Sequence, residues 1–315
     1  MKDLSTFLSI STFVILLGYI SYSEMKRPAA NDSFSDEGVM APDPEVVDDY
    51  GHPLPAIAFD LPQNASFANE PVPLNIPDVR ERLDKELQIN SYMHSNTIFL
   101  IKRANRWLPQ MQEILRRYNI PDDFKYLPLI ESNLLNVISP RDAVGYWQIL
   151  AESGREVGLT VNKEVDERYD PLKATEAACK YLSKAYRKFG NWTLVAASYN
   201  RGMGGIGRAI EDQKINSYYD LYLNDETSRY VFRIVAIKEI IEHPLKYGFN
   251  INPKNLYQPE PLRYIQVNQT IGDLITFANE QGINYKLLKR HNPWLRDEKL
   301  TVKKGQMFSI ALPAE

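Results

Sequence analysis

The 315 residues are enough for two compact domains, the 44% hydrophobic content is ordinary for a globular protein, and a single cysteine excludes an internal disulfide framework. The net charge of −3 hides an asymmetry: ten acids and no Lys or Arg fall between Pro28 and Asp78, which leaves +7 on the remainder. A mildly basic remainder suits an anionic polymer or a solvated surface, but no basic cluster interleaved with aromatics speaks for nucleic acid. His52, His94, His243 and His291 show no metal-ligand spacing.

Lys2 precedes an apolar run from Leu4 to Tyr22, followed by Lys26 and Arg27. Residues 1–24 therefore read as a secretory signal or as an uncleaved membrane anchor, with Ser21-Tyr22-Ser23 as a passable cleavage site. Residues 25–78 are acidic, rich in proline and without period, and read as a linker that would hold a folded domain away from a membrane.

Helical patterning begins at about residue 79. The run from Thr97 to Tyr118 carries Ile98, Ile101, Ala104, Leu108, Met111, Ile114 and Leu115 at steps of three and four; Pro109 inside it predicts either a kinked helix or two helices. Pro121-Asp122-Asp123 reads as a helix start. Further helices are expected from Asp170-Pro171 to Phe189, stopped by Gly190, from Trp192 to Asn200 behind an Asn191 cap, and over 229–242. Cys179 lies in an alanine-rich stretch and reads as a small core residue. Residues 79–256 are thus expected to form a mainly α domain. The tail, 257–315, reads as strand, helix, helix, strand: strands over Arg263–Val267 and Met307–Leu312, helices over Ile271–Glu280 and Tyr285–His291.

One acid stands out. At helical spacing Phe124, Leu127, Glu131 and Leu134 share a face, provided Pro128 only kinks the helix. A carboxyl on an apolar stripe has its charged form disfavoured and its pKa raised, as a general acid near neutral pH requires. A structural hydrogen bond is the plain alternative for a lone Glu near a helix end.

The surroundings of Glu131 form an ordered set: Ser139, then Gly145-Tyr146-Trp147-Gln148, then Asp166, Arg168 and Asp170-Pro171, then Tyr199-Asn200-Arg201-Gly202, then Glu226-Thr227 with Tyr230-Val231. Over roughly residues 90–245 this set resembles glycoside hydrolase family 23, the lysozyme-like lytic transglycosylases. The resemblance implies a goose-type lysozyme-like helical fold and an enzyme of the bacterial cell envelope acting on peptidoglycan glycan strands. It implies Glu131 as the acid/base and Ser139, Gly145, Gln148, Tyr199, Asn200 and Tyr230 as substrate-binding. The Tyr199 hydroxyl is expected to face Glu131 or the reacting sugar. Ser132 is expected to orient local backbone, Trp147 to be either core or cleft, and Asp142 to be a turn residue. Asp166, Arg168 and Asp170 read as a buried brace and a helix cap.

The same resemblance implies a mechanism with one carboxylate and no metal or cofactor. Protonated Glu131 would donate to the oxygen joining N-acetylmuramic acid to N-acetylglucosamine, then take the proton of the muramoyl C6 hydroxyl as that hydroxyl closes on C1. The product is a 1,6-anhydro end. A hydrolytic muramidase on the same fold and a non-catalytic peptidoglycan-binding scaffold are the alternatives; the presence of Glu131, Tyr199 and Asn200 argues against the scaffold. Residues 263–313 resemble a LysM domain, which implies binding of N-acetylglucosamine-containing glycan. The usual Gly-Asp-Thr-Leu turn is replaced here by Asn268-Gln269-Thr270-Ile271, so the fold is the firmer part of that resemblance.

Overall fold

The structure, a computed structural model, describes residues 57–314. The apolar segment 4–22 and the first part of the expected linker lie outside the described residues. Ile57–Glu315 cluster as one compact unit.

The chain enters through a small hairpin, β1 (Ser66–Phe67) against β2 (Glu70–Pro71). This corrects the reading of 25–78 as linker throughout: Phe67 is fully buried, its ring centroid 5.0 Å from that of Phe124. The order here comes from distant partners. The Glu70 carboxylate accepts from the backbone N–H groups of Trp192 (2.6 Å) and Thr193 (2.8 Å) and from the Thr193 hydroxyl, so it caps a helix that starts 122 residues further on. Two-residue strands leave no period in a sequence, and a cap supplied from elsewhere leaves no local trace.

Helix α1 (Pro77–Tyr92) follows, then α2 (His94–Arg117), which runs unbroken through Pro109. A 3₁₀ segment (Asp122–Tyr126) leads into α3 (Leu127–Ser132), whose first turn holds Pro128. A proline there removes no helical hydrogen bond, so no kink is needed. The single apolar face through Phe124, Leu127, Glu131 and Leu134 is therefore replaced by two short elements, ended by Asn133 and Leu134 at φ of 54° and 55°. Helix α4 (Ala151–Glu156) is one short piece in the irregular stretch before α5 (Pro171–Phe189).

Helix α5 has the ends its sequence predicts. Asp170 accepts from the N–H groups of Leu172 and Lys173, Pro171 opens the helix, and Gly190 closes it at φ 63°. Its alanine-rich face, with buried Cys179, lets α6 (Trp192–Arg201) pack closely. Helix α7 (Met203–Gln213) was not expected, because Gly204, Gly205 and Gly207 argue against helix by propensity. Helix α8 (Asp225–Glu242) runs through the middle, against α1, α3 and α6.

The tail forms β3 (Leu262–Val267), α9 (Leu274–Glu280), α10 (Tyr285–His291) and β4 (Phe308–Pro313). The strands pair antiparallel, from Leu262 opposite Pro313 to Val267 opposite Phe308. Asp273 caps α9 and Asn284 caps α10. Fully buried Asn292 donates to the Leu288 and Ala311 carbonyls and accepts from the Ala311 N–H, pinning the end of α10 to β4. The expected class, mainly α with a β-α-α-β module, is the one observed. Among the described residues no helix is long and apolar enough to cross a membrane.

Candidate active site

A cavity of about 590 Å³ opens between α1, α3 and α8, and Glu131 lines it. Glu131 is the next-to-last residue of α3, and the left-handed pair Asn133-Leu134 turns the chain away directly behind it. Ser132 is buried and donates to the carbonyls of Pro128 (3.1 Å) and Tyr146 (2.9 Å), so it fixes the end of α3 to the next segment.

Three groups act on the Glu131 carboxyl. The Tyr230 hydroxyl donates to its Oε1 at 2.5 Å. Arg233, one turn further along α8, donates to the Ile130 carbonyl at 2.8 Å and lines the same cavity. Glu226, one turn before Tyr230, accepts from Asn200 Nδ2 at 3.0 Å and also lines it. Burial dominates and lifts Glu131 from 4.5 to about 7; the Tyr230 hydrogen bond and the Arg233 charge oppose that, and the Glu226 charge adds to it. The site holds one carboxyl that burial pushes up to about 7, beside a second that adds to the shift. Among the described residues no group of His, Cys, Asp and Glu is arranged to hold a metal ion.

The other expected residues fall in two places. Tyr199 and Asn200, at the end of α6, do not line the cavity; Asn200 reaches it through Glu226, and Tyr199 lies close enough for the Glu131 charge to act on it. The Tyr199 hydroxyl, expected to face Glu131 or the sugar, instead donates to the Trp147 carbonyl at 2.7 Å. Tyr230 takes the contact with Glu131, and burial together with the Glu131 charge raises both tyrosines well above 10. Asn200 Oδ1 accepts from the Thr227 hydroxyl while its amide holds Glu226, so Asn200 positions the second carboxylate.

Ser139, Gly145 and Gln148 do not line the Glu131 cavity; they build the turn behind it. The Ser139 hydroxyl accepts from the N–H groups of Ala143 (3.0 Å) and Arg141 (3.2 Å). Gln148 Nε2 donates to the carbonyls of Gly145 (2.8 Å) and Val137 (3.1 Å). Gly145 sits at φ 81°, and a Cβ there would stand 2.1 Å from the Arg168 carbonyl oxygen. Trp147 is core, its Nε1 donating to Thr175. Asp142 sits in the turn at φ 59°. Arg168 braces this region: it pairs with buried Asp166 and donates to the carbonyls of Asp142 and Ile149. Arg233 was missed from the sequence. The signal was present: Glu226, Tyr230 and Arg233 follow a four-then-three spacing that puts them on one helix face.

Residues 110–221 match the family described as the transglycosylase SLT domain, and residues 263–315 match the soluble lytic transglycosylase C-terminal LysM-like domain. The chain carries an SLT transglycosylase domain. Membrane-bound lytic murein transglycosylase D from Escherichia coli strain K12 is 27% identical over 244 residues, 75% of this chain and 52% of the relative; the protein of the same name from E. coli O6:H1 matches equally. The chain spans about half the length of the curated relatives it matches. A solved structure of the lytic transglycosylase Slt from Pseudomonas aeruginosa covers 48% of this chain and 26% of its own, at 18% identity and a TM-score of 0.35. The SLT match contains Glu131, the turn from Ser139 to Gln148 and the Tyr199-Asn200 pair. Glu226, Tyr230 and Arg233 lie beyond it, on α8.

Proposed function

We propose that the protein cleaves the β-1,4 bond between N-acetylmuramic acid and N-acetylglucosamine in peptidoglycan and leaves a 1,6-anhydro end, with Glu131 as acid and then base. The observation that carries this reading is the Glu131 carboxyl, raised to about 7 and held by Tyr230 at the wall of a cavity. A carboxyl with that pKa can donate to a leaving-group oxygen near neutral pH and still accept a proton in the next step. The nucleophile is the substrate's own C6 hydroxyl. Its attack within one sugar gains from proximity what a second catalytic carboxylate supplies in most glycosidases. Atoms balance: the proton given to the leaving sugar is replaced on Glu131 by the one lost from C6. Burial is what chiefly keeps Glu131 protonated, and the nearby Glu226 adds to it.

The SLT and LysM-like matches and the lytic murein transglycosylase relatives support the substrate class. The relatives also support action in the bacterial cell envelope; the apolar run at residues 4–22 is the segment that would export or anchor the chain. The test is digestion of purified peptidoglycan with mass analysis of the ends. The parent is expected to give anhydromuropeptides, and Glu131→Gln to lose at least a thousand-fold in rate. Reducing ends from the parent would make it a hydrolase. Near-parent anhydro product from Glu131→Gln would remove Glu131 from the chemistry.

A further inference from the structure

Two asparagines on the wall of the Glu131 cavity each leave one side-chain polar atom unspent. Asn133 follows Ser132 at the end of α3, in the left-handed region at φ 54°. Its backbone is fully engaged: the N–H donates to the Leu129 carbonyl at 3.0 Å, and the carbonyl accepts from Arg103 Nε at 2.7 Å. Its side chain reaches α2, where Nδ2 donates to Asn96 Oδ1 at 3.2 Å. Among the described residues nothing pairs with Asn96 Nδ2 or with Asn133 Oδ1. A left-handed helix end favours Asn or Gly, which accounts for Asn133 alone. Asn96 lies in the first turn of α2 and caps nothing, since no side chain caps that helix.

The pair thus offers one N–H donor and one carbonyl acceptor, held by two different elements. A secondary amide uses both, because its carbonyl accepts and its N–H donates. A hydroxyl can take the same two bonds, but it has nothing to set against apolar neighbours. Ile89, Met93, Leu135 and Val137 line the same cavity, and each is more than a third exposed. An acetamido group matches both features, with an amide to pair and a methyl to bury. Ser139 and Gln148, expected to bind substrate, lie outside this cavity.

We propose that Asn96 and Asn133 determine specificity by holding the acetamido group of the sugar bound beside Glu131. Asn96 Nδ2 donates to the acetamido carbonyl, Asn133 Oδ1 accepts from its N–H, and its methyl rests on the apolar side chains of the cavity. This rests on the glycan-cleaving reading above and names the part of the substrate that the cavity reads. Asn133 stands two residues after Glu131, so the helix end that places the carboxyl also places the amide pair. A sugar held there by its acetamido group is set in register with the proton donor. A strand without that group leaves the pair's donor and acceptor unmatched, and a site built to hydrogen-bond a substrate group rejects the analogue that lacks it.

The experiment uses the full chain. Binding is measured with Glu131→Gln, so that nothing is cut, alone and combined with Asn96→Ala or Asn133→Gly; glycine keeps the left-handed turn. Both positions are half-buried, so neither change opens the core. The probes are peptide-free peptidoglycan strands, the same strands after de-N-acetylation, and peptide-bearing strands. Glu131→Gln should bind the acetylated peptide-free strands at least ten-fold more tightly than the de-N-acetylated ones. Each asparagine variant should reduce that preference at least three-fold, and in the cutting-competent chain should reduce the matching ratio of kcat/KM by a similar factor. An equal loss on both kinds of strand would make the pair a structural tie between α2 and α3 and overturn the proposal, as would the lack of any preference in Glu131→Gln. An effect confined to peptide-bearing strands would assign the amide to the stem peptide and overturn the acetamido group. A parent that cuts, with the preference unchanged in both variants, would overturn the asparagine pair and leave the proposed activity standing. A parent that cuts no strand, with the binding preference and its loss intact, would overturn the activity and leave the pair.

Discussion

At the scale of single residues, the Glu131 carboxyl couples stability to pH through its proton. Its pKa in the folded chain, about 7, lies above the ordinary 4.5. Between those values the folded protein holds a proton that the unfolded chain releases. The stability this site contributes is therefore full below pH 4.5 and is lost as pH rises to about 7. Glu131→Gln, which cannot ionise, is expected to match the parent near pH 4.5 and to exceed its melting temperature at pH 8, as calorimetry at the two pH values would report. A Tm gain that is equal at both would mean that the carboxyl is not desolvated. Tyr230→Phe tests the opposing contact. The Tyr230 hydrogen bond lowers the Glu131 pKa, so its loss should raise that pKa and move the alkaline limb of kcat/KM to higher pH. The lost orientation should also cost roughly ten-fold in kcat, about 1.4 kcal/mol. An alkaline limb that stays put, or moves toward acid, would contradict the assignment of Tyr230 as the partner of Glu131.

At the scale of elements, the turn behind α3 depends on one glycine. At φ 81° Gly145 occupies backbone that costs other residues about 1–2 kcal/mol, and a methyl group would stand 2.1 Å from the Arg168 carbonyl oxygen. Arg168 is held at both ends, its backbone N–H donating to Asp166 and its guanidinium to Asp166, Asp142 and Ile149, which resists a shift of its carbonyl. Gly145→Ala should destabilise by about 3 kcal/mol or more and, where folded, misplace the Tyr146 carbonyl that holds Ser132. Urea titration of the variant checks the first; parent-like stability would show the turn to be pliable. Elements of this kind also decide what was legible beforehand. Helices α5 and α6 and the tail strands and helices were readable because their caps and periods are local: Asp170, Gly190 and Asn191 act within four residues of themselves. The hairpin at Ser66–Pro71 was not, because its order rests on Phe124 and on the start of α6. Helix α7 was not, because packing overrides three glycines. Glu131 was legible by the motifs around it. The partner of its carboxyl was not, since a spacing of 99 residues between Tyr230 and Glu131 carries no geometry until α3 and α8 pack together. Ser139 and Gln148 were placed in the right neighbourhood, but their polar groups are consumed by the backbone of the turn.

At the scale of the molecule, the tail module is built into the wall of the site. Val165 forms a β-bridge with Leu295, the Asp166 N–H donates to the Trp294 carbonyl at 2.9 Å, and the Arg296 N–H donates to the Glu164 carbonyl at 2.7 Å. The Arg296 guanidinium lies 3.9 Å from the Tyr169 ring centroid. Val144, Val165 and Tyr169 belong to one apolar cluster with Trp294, Leu295 and Leu300. The loop held this way carries Asp166 and Arg168, and Arg168 in turn holds the Gly145–Gln148 turn. The module therefore stiffens the turn to which Ser132 is tied. A passenger domain would unfold by itself and leave the cavity intact. A structural partner would not. Leu295 is fully buried, and Leu295→Asp places a carboxylate in the shared cluster at a cost of several kcal/mol. In the full chain this variant is expected to lower the whole unfolding transition by calorimetry and to reduce kcat on short, four-sugar fragments. Two separate transitions, the later one at the parent temperature, with parent-like turnover of the short fragments, would show instead that the SLT domain stands without its module.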